Sequence, residues 1–203
     1  MFTKNETDQS NLSTTDRLRK EIEEFVCLSE QELDFVLDHF QLRHFKKHQI
    51  ILHEGDNAQH EYFVLDGLLR VTKLDATGKE HILQFGMENR WITDSEAYHT
   101  QSKATLTIDC LEKTTAFSLT LEQRDKLCQA LPKMETFFLK KTTLALLTLQ
   151  KRILCFLSSN ASDRYHHILS VYPGLIQRVP KAMIASYLGV SRETLSRLSK
   201  TNP

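Results

Sequence analysis

The 203-residue chain has no apolar run approaching the ~18 residues of a membrane-spanning helix, which excludes a helical membrane span. Its N-terminal stretch, MFTKNETDQSNLSTTD, lacks the apolar core of a secretory signal and reads as a frayed tail over residues 1–15. Cysteine is scarce. Cys27, Cys110, Cys128 and Cys155 lie far apart with no C-x-x-C pair, the pattern of reduced, mostly buried thiols in a cytoplasmic protein. The nine histidines include no ligand constellation. His44, His48 and His53 bracket a turn and a strand, and His166 and His167 point to different sides of a helix, so no metal site is expected. No nucleophile–base arrangement and no phosphate loop stand out, which argues against an enzyme and leaves no catalytic residue to name.

Net charge is also absent, but its zero value hides a split. From Lys133 onward there are 11 Lys and Arg against 3 Asp and Glu, and the first 132 residues carry 15 against 23. A basic C-terminal third suits a polyanion, and the acidic remainder does not.

Read in order, residues 16–40 have helical spacing, with Ser29 and Glu32 forming a capping box ahead of Leu33, Val36, Leu37 and Phe40. Short β-like segments follow at Gln49–Glu54, Glu61–Leu65, Leu68–Leu74, His81–Phe85, Thr105–Leu111 and Thr114–Leu119. Gly55-Asp56, Asp66-Gly67 and Thr77-Gly78 mark the breaks, and Asp66-Gly67 between YFVL and LLRV predicts a hairpin. Such strands over residues 49–130 predict an antiparallel barrel or sandwich, packed by Trp91 and Tyr98 and closed by a helix at Leu121–Leu131. The fold class is therefore α+β.

A long helix is predicted from Lys133 to Ser158. Leu139, Leu146 and Ile153 repeat every seven residues, and Thr142, Leu149 and Phe156 fill the second heptad position. This seam predicts a homodimer, with Phe137, Phe138, Leu147 and Leu154 turned to the chain's own domain and Lys151 and Arg152 solvated. Ser158–Ser162 reads as a hinge. Ser162 or Asp163 is expected to cap a helix reaching Val171, and Leu175–Val179 to be extended. The expected units are residues 16–132, 133–158 and 159–203.

The last stretch, KAMIASYLGVSRETLSRLSK, reads as two helices, Lys181–Leu188 and Arg192–Lys200, joined at Gly189. Ile184, Leu188, Val190, Leu195 and Leu198 face one core, Ala185 is small at the crossing, and Ser191 caps the second helix. Arg192, Glu193, Ser196, Arg197 and Lys200 share a polar face. Arg suits the acceptor edge of guanine and Glu the amino group of cytosine, so that face has the chemistry to read a DNA major groove.

Two stretches, GDNAQHEYFVLDGLLRVTKLDATGKEH and RVPKAMIASYLGVSRETLSRL, resemble the cyclic-AMP receptor protein / FNR family of bacterial transcription regulators. The resemblance covers roughly residues 20–200, and the second stretch is similar to a short subgroup from Bacteroidetes-type bacteria. It implies an N-terminal cyclic-nucleotide-binding-like jelly roll, a dimerisation helix and a winged-helix-like helix-turn-helix domain. It implies DNA carrying an inverted-repeat operator as partner, a small-molecule effector, and RNA polymerase as a further contact. Base contacts fall to Arg192, Glu193 and Arg197, and phosphate contacts to Ser191, Thr194, Lys181 and Lys200. Because the chain stops just after the second helix, C-terminal wing strands are not expected.

The resemblance breaks at the cyclic nucleotide cassette. Thr93-Asp94 stands where the family has Gly-Glu, and Ala104-Thr105 where it has Arg-Ser. The phosphate-binding Arg is missing, and Lys103 would point to the opposite face of a strand. Asp94 could still accept from a hydroxyl. The expectation is no certain cofactor, no cyclic nucleotide, and either another ligand in the roll or none. An iron–sulfur cluster lacks its cysteines, with Cys27 alone near the N-terminus. A ligand-binding roll without DNA work is the alternative reading.

Overall fold

A computed structural model describes residues 13–201. Ser13 caps α1 (Thr14–Glu23), so Thr14 and Thr15 are helical, and the rest of the expected tail, residues 1–12, lies outside the described residues. The helix expected over 16–40 is two helices. α1 ends at Glu23, and the Ser29–Glu32 capping box starts α2 (Glu30–Leu37) afresh. Eight strands follow: β1 (Gln41–Phe45), β2 (Ile50–Leu52), β3 (His60–Asp66), β4 (Leu69–Leu74), β5 (Glu80–Gly86), β6 (Trp91–Ile92), β7 (Thr107–Cys110) and β8 (Thr114–Thr120), with α3 (Ser95–Thr100) between β6 and β7. The remaining helices are α4 (Leu121–Ala130), α5 (Lys133–Ser158), α6 (Ala161–Val171), α7 (Leu175–Arg178), α8 (Lys181–Leu188) and α9 (Arg192–Thr201).

The strands form two four-stranded sheets, in the orders β1-β8-β3-β6 and β2-β7-β4-β5, with every pairing antiparallel. This is the expected β-roll. β3 shows how it is filled. Phe63 and Leu65 face a cluster with Leu18, Ile22, Leu127, Phe137 and Phe138 of the helices, and Val64 faces the space between the sheets. The two-residue period of a strand thus feeds two cores from one segment. β1 escaped the sequence reading because QLRHF has no alternating apolar pattern. It is an edge strand, exposed along most of its length, and pairs only with β8.

Asp66-Gly67 does not make the expected hairpin. β3 and β4 belong to different sheets, so this turn carries the chain from one sheet to the other. Gly67 has φ +103°, and a Cβ there would stand 2.5 Å from the Lys113 carbonyl. The hairpin signal encodes a sharp reversal and says nothing of which strands pair afterwards. Thr77-Gly78, in contrast, does join a paired hairpin, β4 and β5.

Three expectations for the C-terminal region change. Asn160, not Ser162 or Asp163, caps α6, since its Oδ1 accepts from the N–H groups of both residues. Leu175–Arg178 is a helical turn started by Gly174 at φ +74°, not an extended piece. Leu147 and Leu154 are exposed; the buried residues of α5 are Met134, Phe137 and Phe138 in its first turns.

Helices α6 to α9 pack on the roll through a single core. Leu68, Ile82, Phe85 and Leu111 of the roll join Tyr165, Ile168, Tyr172, Leu175, Val179, Ile184, Tyr187, Leu188 and Leu195. Gly67 also stands at this junction, because its N–H donates to Glu88 and its carbonyl accepts from Arg178. We expect Gly67→Ala to destabilise the protein by at least ~1–3 kcal/mol, from a left-handed backbone with no room for a methyl group. Urea unfolding of the two proteins measures the difference.

Candidate nucleic-acid interface and sensor cassette

The C-terminal helices fold as their sequence demands. Gly189, at φ +64°, ends α8 and donates its N–H to the carbonyls of Ala185 and Ser186. Ile184, Ala185, Leu188 and Leu195 are buried, and Val190 and Leu198 pack beside them. The Ser191 hydroxyl accepts the Thr194 N–H at 3.2 Å, the predicted cap of α9. With one face of α9 buried, Arg192, Glu193 and Arg197 stand exposed, and together with Ser196 they line one open depression. Hydrogen bonds from its own backbone N–H and from Ser191 hold the Glu193 carboxyl below its ordinary range, helped by Arg192 and Arg197. It is therefore ionised and able to accept. Lys181 is exposed at the start of α8, and the side chain of Lys200 lies outside the described residues.

The sequence reading missed what ties this unit to the roll. Arg178 donates to Glu112 at 2.7 and 3.1 Å, to Glu88 at 2.9 and 3.0 Å, and to the Gly67 carbonyl at 2.9 Å. Three distant segments meet on one planar guanidinium. Arg152, expected in solvent, is half-buried. Its guanidinium lies 4.0 Å over the Tyr187 ring, and it donates to the Ile82 carbonyl. Tyr187 packs in turn against Phe85, with ring centroids 5.4 Å apart. No local signal marks either arginine, because their partners come from segments remote in sequence.

Asp94 and Thr105 of the cassette come together within the roll. Asp94 is 2% exposed, and its carboxylate is fully engaged by the protein itself. One oxygen caps α3 through the Ala97 N–H, and the other accepts from the N–H groups of Thr105 and Leu106 at 2.8 and 3.1 Å. The Thr105 hydroxyl reaches the same oxygen at 3.3 Å. Thr93 donates to the His60 carbonyl, and Ala104 is buried without a polar side chain. Lys103 is exposed and pairs through its backbone with Asn57. Tyr98, wholly buried, packs in the interior of the roll and donates its hydroxyl to the Leu119 carbonyl.

The predicted seam of α5 is open. Leu139, Leu146, Leu149 and Ile153 are 50–68% exposed, and Thr142 and Phe156 are also exposed. Leu144, Leu147, Leu154 and Leu157 are exposed as well, so the apolar surface is broader than one seam. Among the described residues no helix is long and apolar enough to cross a membrane, and no group of three or more His, Cys, Asp or Glu is placed to hold a metal ion.

A β-roll with a helical cassette, followed by a long helix and a helix-turn-helix, defines the class of protein. Residues 42–130 match the family model of the cyclic nucleotide-binding domain. The chain is 24% identical over 199 residues to the cAMP-activated global transcriptional regulator CRP of Haemophilus influenzae, covering 89% of this chain and 88% of that one. Its fold is similar to that of FixK2 from Bradyrhizobium japonicum (TM-score 0.70, 18% identity, 80% of this chain and 83% of that one). It is also similar to the c-di-GMP responsive global regulator CLP of Xanthomonas campestris (TM-score 0.66, 18% identity, 85% and 91%). The chain therefore carries a match to the cyclic nucleotide-binding domain and shares the fold of these regulators.

Burial alone would raise the Glu88 carboxyl, but the Arg178 hydrogen bonds and charge outweigh it and hold the group low. A carboxyl depressed in the folded state stabilises at pH above its unfolded value and loses that contribution as pH falls. We expect the packing of α7 and α8 on the roll to be intact above about pH 5 and to weaken below the ordinary glutamate value of about 4.3. Arg178→Ala should cost about 1–2 kcal/mol, between exposed and fully buried pairs, and flatten that pH dependence. Hydrogen exchange of the α7 and α8 amides against pH measures both effects.

Proposed function

We propose that the protein is a homodimeric, sequence-specific DNA-binding regulator whose two α9 helices read the halves of an inverted repeat. The observation that carries this reading is the exposed face of α9. Arg192, Glu193 and Arg197 project from a helix whose other side is held by a buried core, the arrangement needed to enter a major groove without unfolding anything. Arg192 and Arg197 would donate to guanine, and the ionised Glu193 would accept from cytosine. Ser191, Thr194, Lys181 and Lys200 would meet phosphates at the helix N-terminus and on the flanks.

The dimer reading rests on α5. A monomer would leave a whole row of leucines in water, and a second copy of the same helix covers such a row by two-fold symmetry. Two copies would then hold their α9 helices about one turn of DNA apart.

The residues of the cassette do not fit a cyclic nucleotide. A cyclic phosphate needs a cation and free backbone donors. Ala104 offers no charge, and Asp94 already occupies the amides of Thr105 and Leu106. A carboxylate in that place repels a second anion.

Selection of bound DNA from a random pool, with and without cyclic AMP and cyclic GMP, tests the whole reading. The expected result is an inverted repeat enriched equally under all three conditions. Failure to enrich any sequence, with the roll folded, would favour a ligand-binding module without DNA work. Arg192→Ala or Arg197→Ala should relax base preference and cost ~1–3 kcal/mol at the selected site, and an unchanged ratio of specific to scrambled binding would remove the residue from base reading. Leu146→Asp should produce a monomer in sedimentation equilibrium and weaken DNA binding.

A further inference from the structure

A concavity beside the cassette lies between β1 and β3 of one sheet and β2 of the other. Its volume is about 280 Å³, at the small end of the range for ligand sites. None of Thr93, Asp94, Ala104 or Thr105 lines it. Phe45, Leu52, Ala58 and Tyr62 supply an apolar body, with the Phe45 and Tyr62 rings edge to face at 5.7 Å. Arg43 and His60 supply the polar end. Strand alternation fixes this set, because Arg43 and Phe45 share one face of β1, and His60 and Tyr62 share one face of β3.

The electrostatics are one-sided. No Asp or Glu lines the pocket, and Arg43 makes no ion pair among the described residues. Its guanidinium is positioned by two neutral oxygens, Gln41 Oε1 at 2.6 Å and Ser118 Oγ at 3.3 Å. They orient the group and leave its charge uncompensated. Burial lowers the His60 pKa, and Arg43 lowers it further, so His60 is a neutral hydrogen-bonding wall near neutral pH. Tyr62 is shifted upward by burial against the pull of Arg43, and stays a protonated phenol.

We propose that this pocket binds a small organic monocarboxylate, with its carboxylate on Arg43 and its aromatic or short alkyl body against Phe45, Leu52, Ala58 and Tyr62. A single guanidinium matches a single carboxylate, and the pocket offers no second cation for a phosphate dianion. Two contacts join the site to the cassette. Thr93 donates to the His60 carbonyl, and Asn57 at the pocket wall pairs with Lys103. The proposal concerns the roll alone and does not rest on DNA reading, so either can fail without the other.

The test is isothermal titration of the full chain with benzoate, phenylacetate and hexanoate, each against its primary amide. At least one acid should saturate with a Kd near or below about 1 mM, and its amide should bind at least about tenfold more weakly. Arg43→Gln should abolish that preference, and Arg43→Lys should keep part of it, since the charge remains and the fork is lost. Arg43 is an exposed edge-strand residue, and unchanged circular dichroism and melting will establish that both variants fold. The proposal is overturned if no acid saturates up to about 5 mM, if acid and amide bind alike, or if folded Arg43→Gln binds the acid as the wild type does.

Discussion

The C-terminal helices of this protein are too short and too amphipathic to be stable alone, and the core they share with the roll is what holds them. Phe85 is wholly buried among Tyr172 and Tyr187, and Leu68, Ile82 and Leu111 complete the roll's side of that contact. Around this apolar centre the polar groups are arranged to satisfy one another. Arg178 gathers Glu88, Glu112 and a carbonyl, and Arg152 caps the Tyr187 ring. The position of α9, and so the direction in which Arg192 and Arg197 point, follows from that packing.

The core shared with the C-terminal helices and the interior of the roll are built on opposite contributions from one sheet, β2-β7-β4-β5. β5 contributes Ile82 and Phe85 to the shared core, while β4 and β7 beside it help enclose the interior that holds Tyr98 and Ala104. The cassette interior is closed by Asp94, a built-in carboxylate on the amides of residues 105 and 106. The roll therefore satisfies those two amides with a carboxylate of its own.

Much of the architecture is legible in the sequence, and for local reasons. Strong capping pairs such as Ser29–Glu32, heptad leucines in α5 and the Gly189 turn each depend on neighbours within a few residues. The bounds of α5 and α8 follow from Pro132, Pro180 and Gly189. Where the reading failed, the deciding force was remote. β1 is a strand because β8 offers it an edge, not because QLRHF alternates. Asp66-Gly67 reverses the chain, but the next strand finds its partners in the second sheet.

The sequence by itself determined the order of roll, long helix and helix-turn-helix, the basic third of the chain, the absent cassette arginine and the polar face of α9. Each of these is a matter of residue type and short spacing. Only the tertiary structure decided that Asp94 binds its own backbone, that Arg152 and Arg178 bind the roll, and that Arg43, His60 and Tyr62 meet in one concavity. The physical reason is the same in every case. A buried charge or hydrogen bond depends on groups brought together from distant segments, and no local pattern in the chain records which partner will be there.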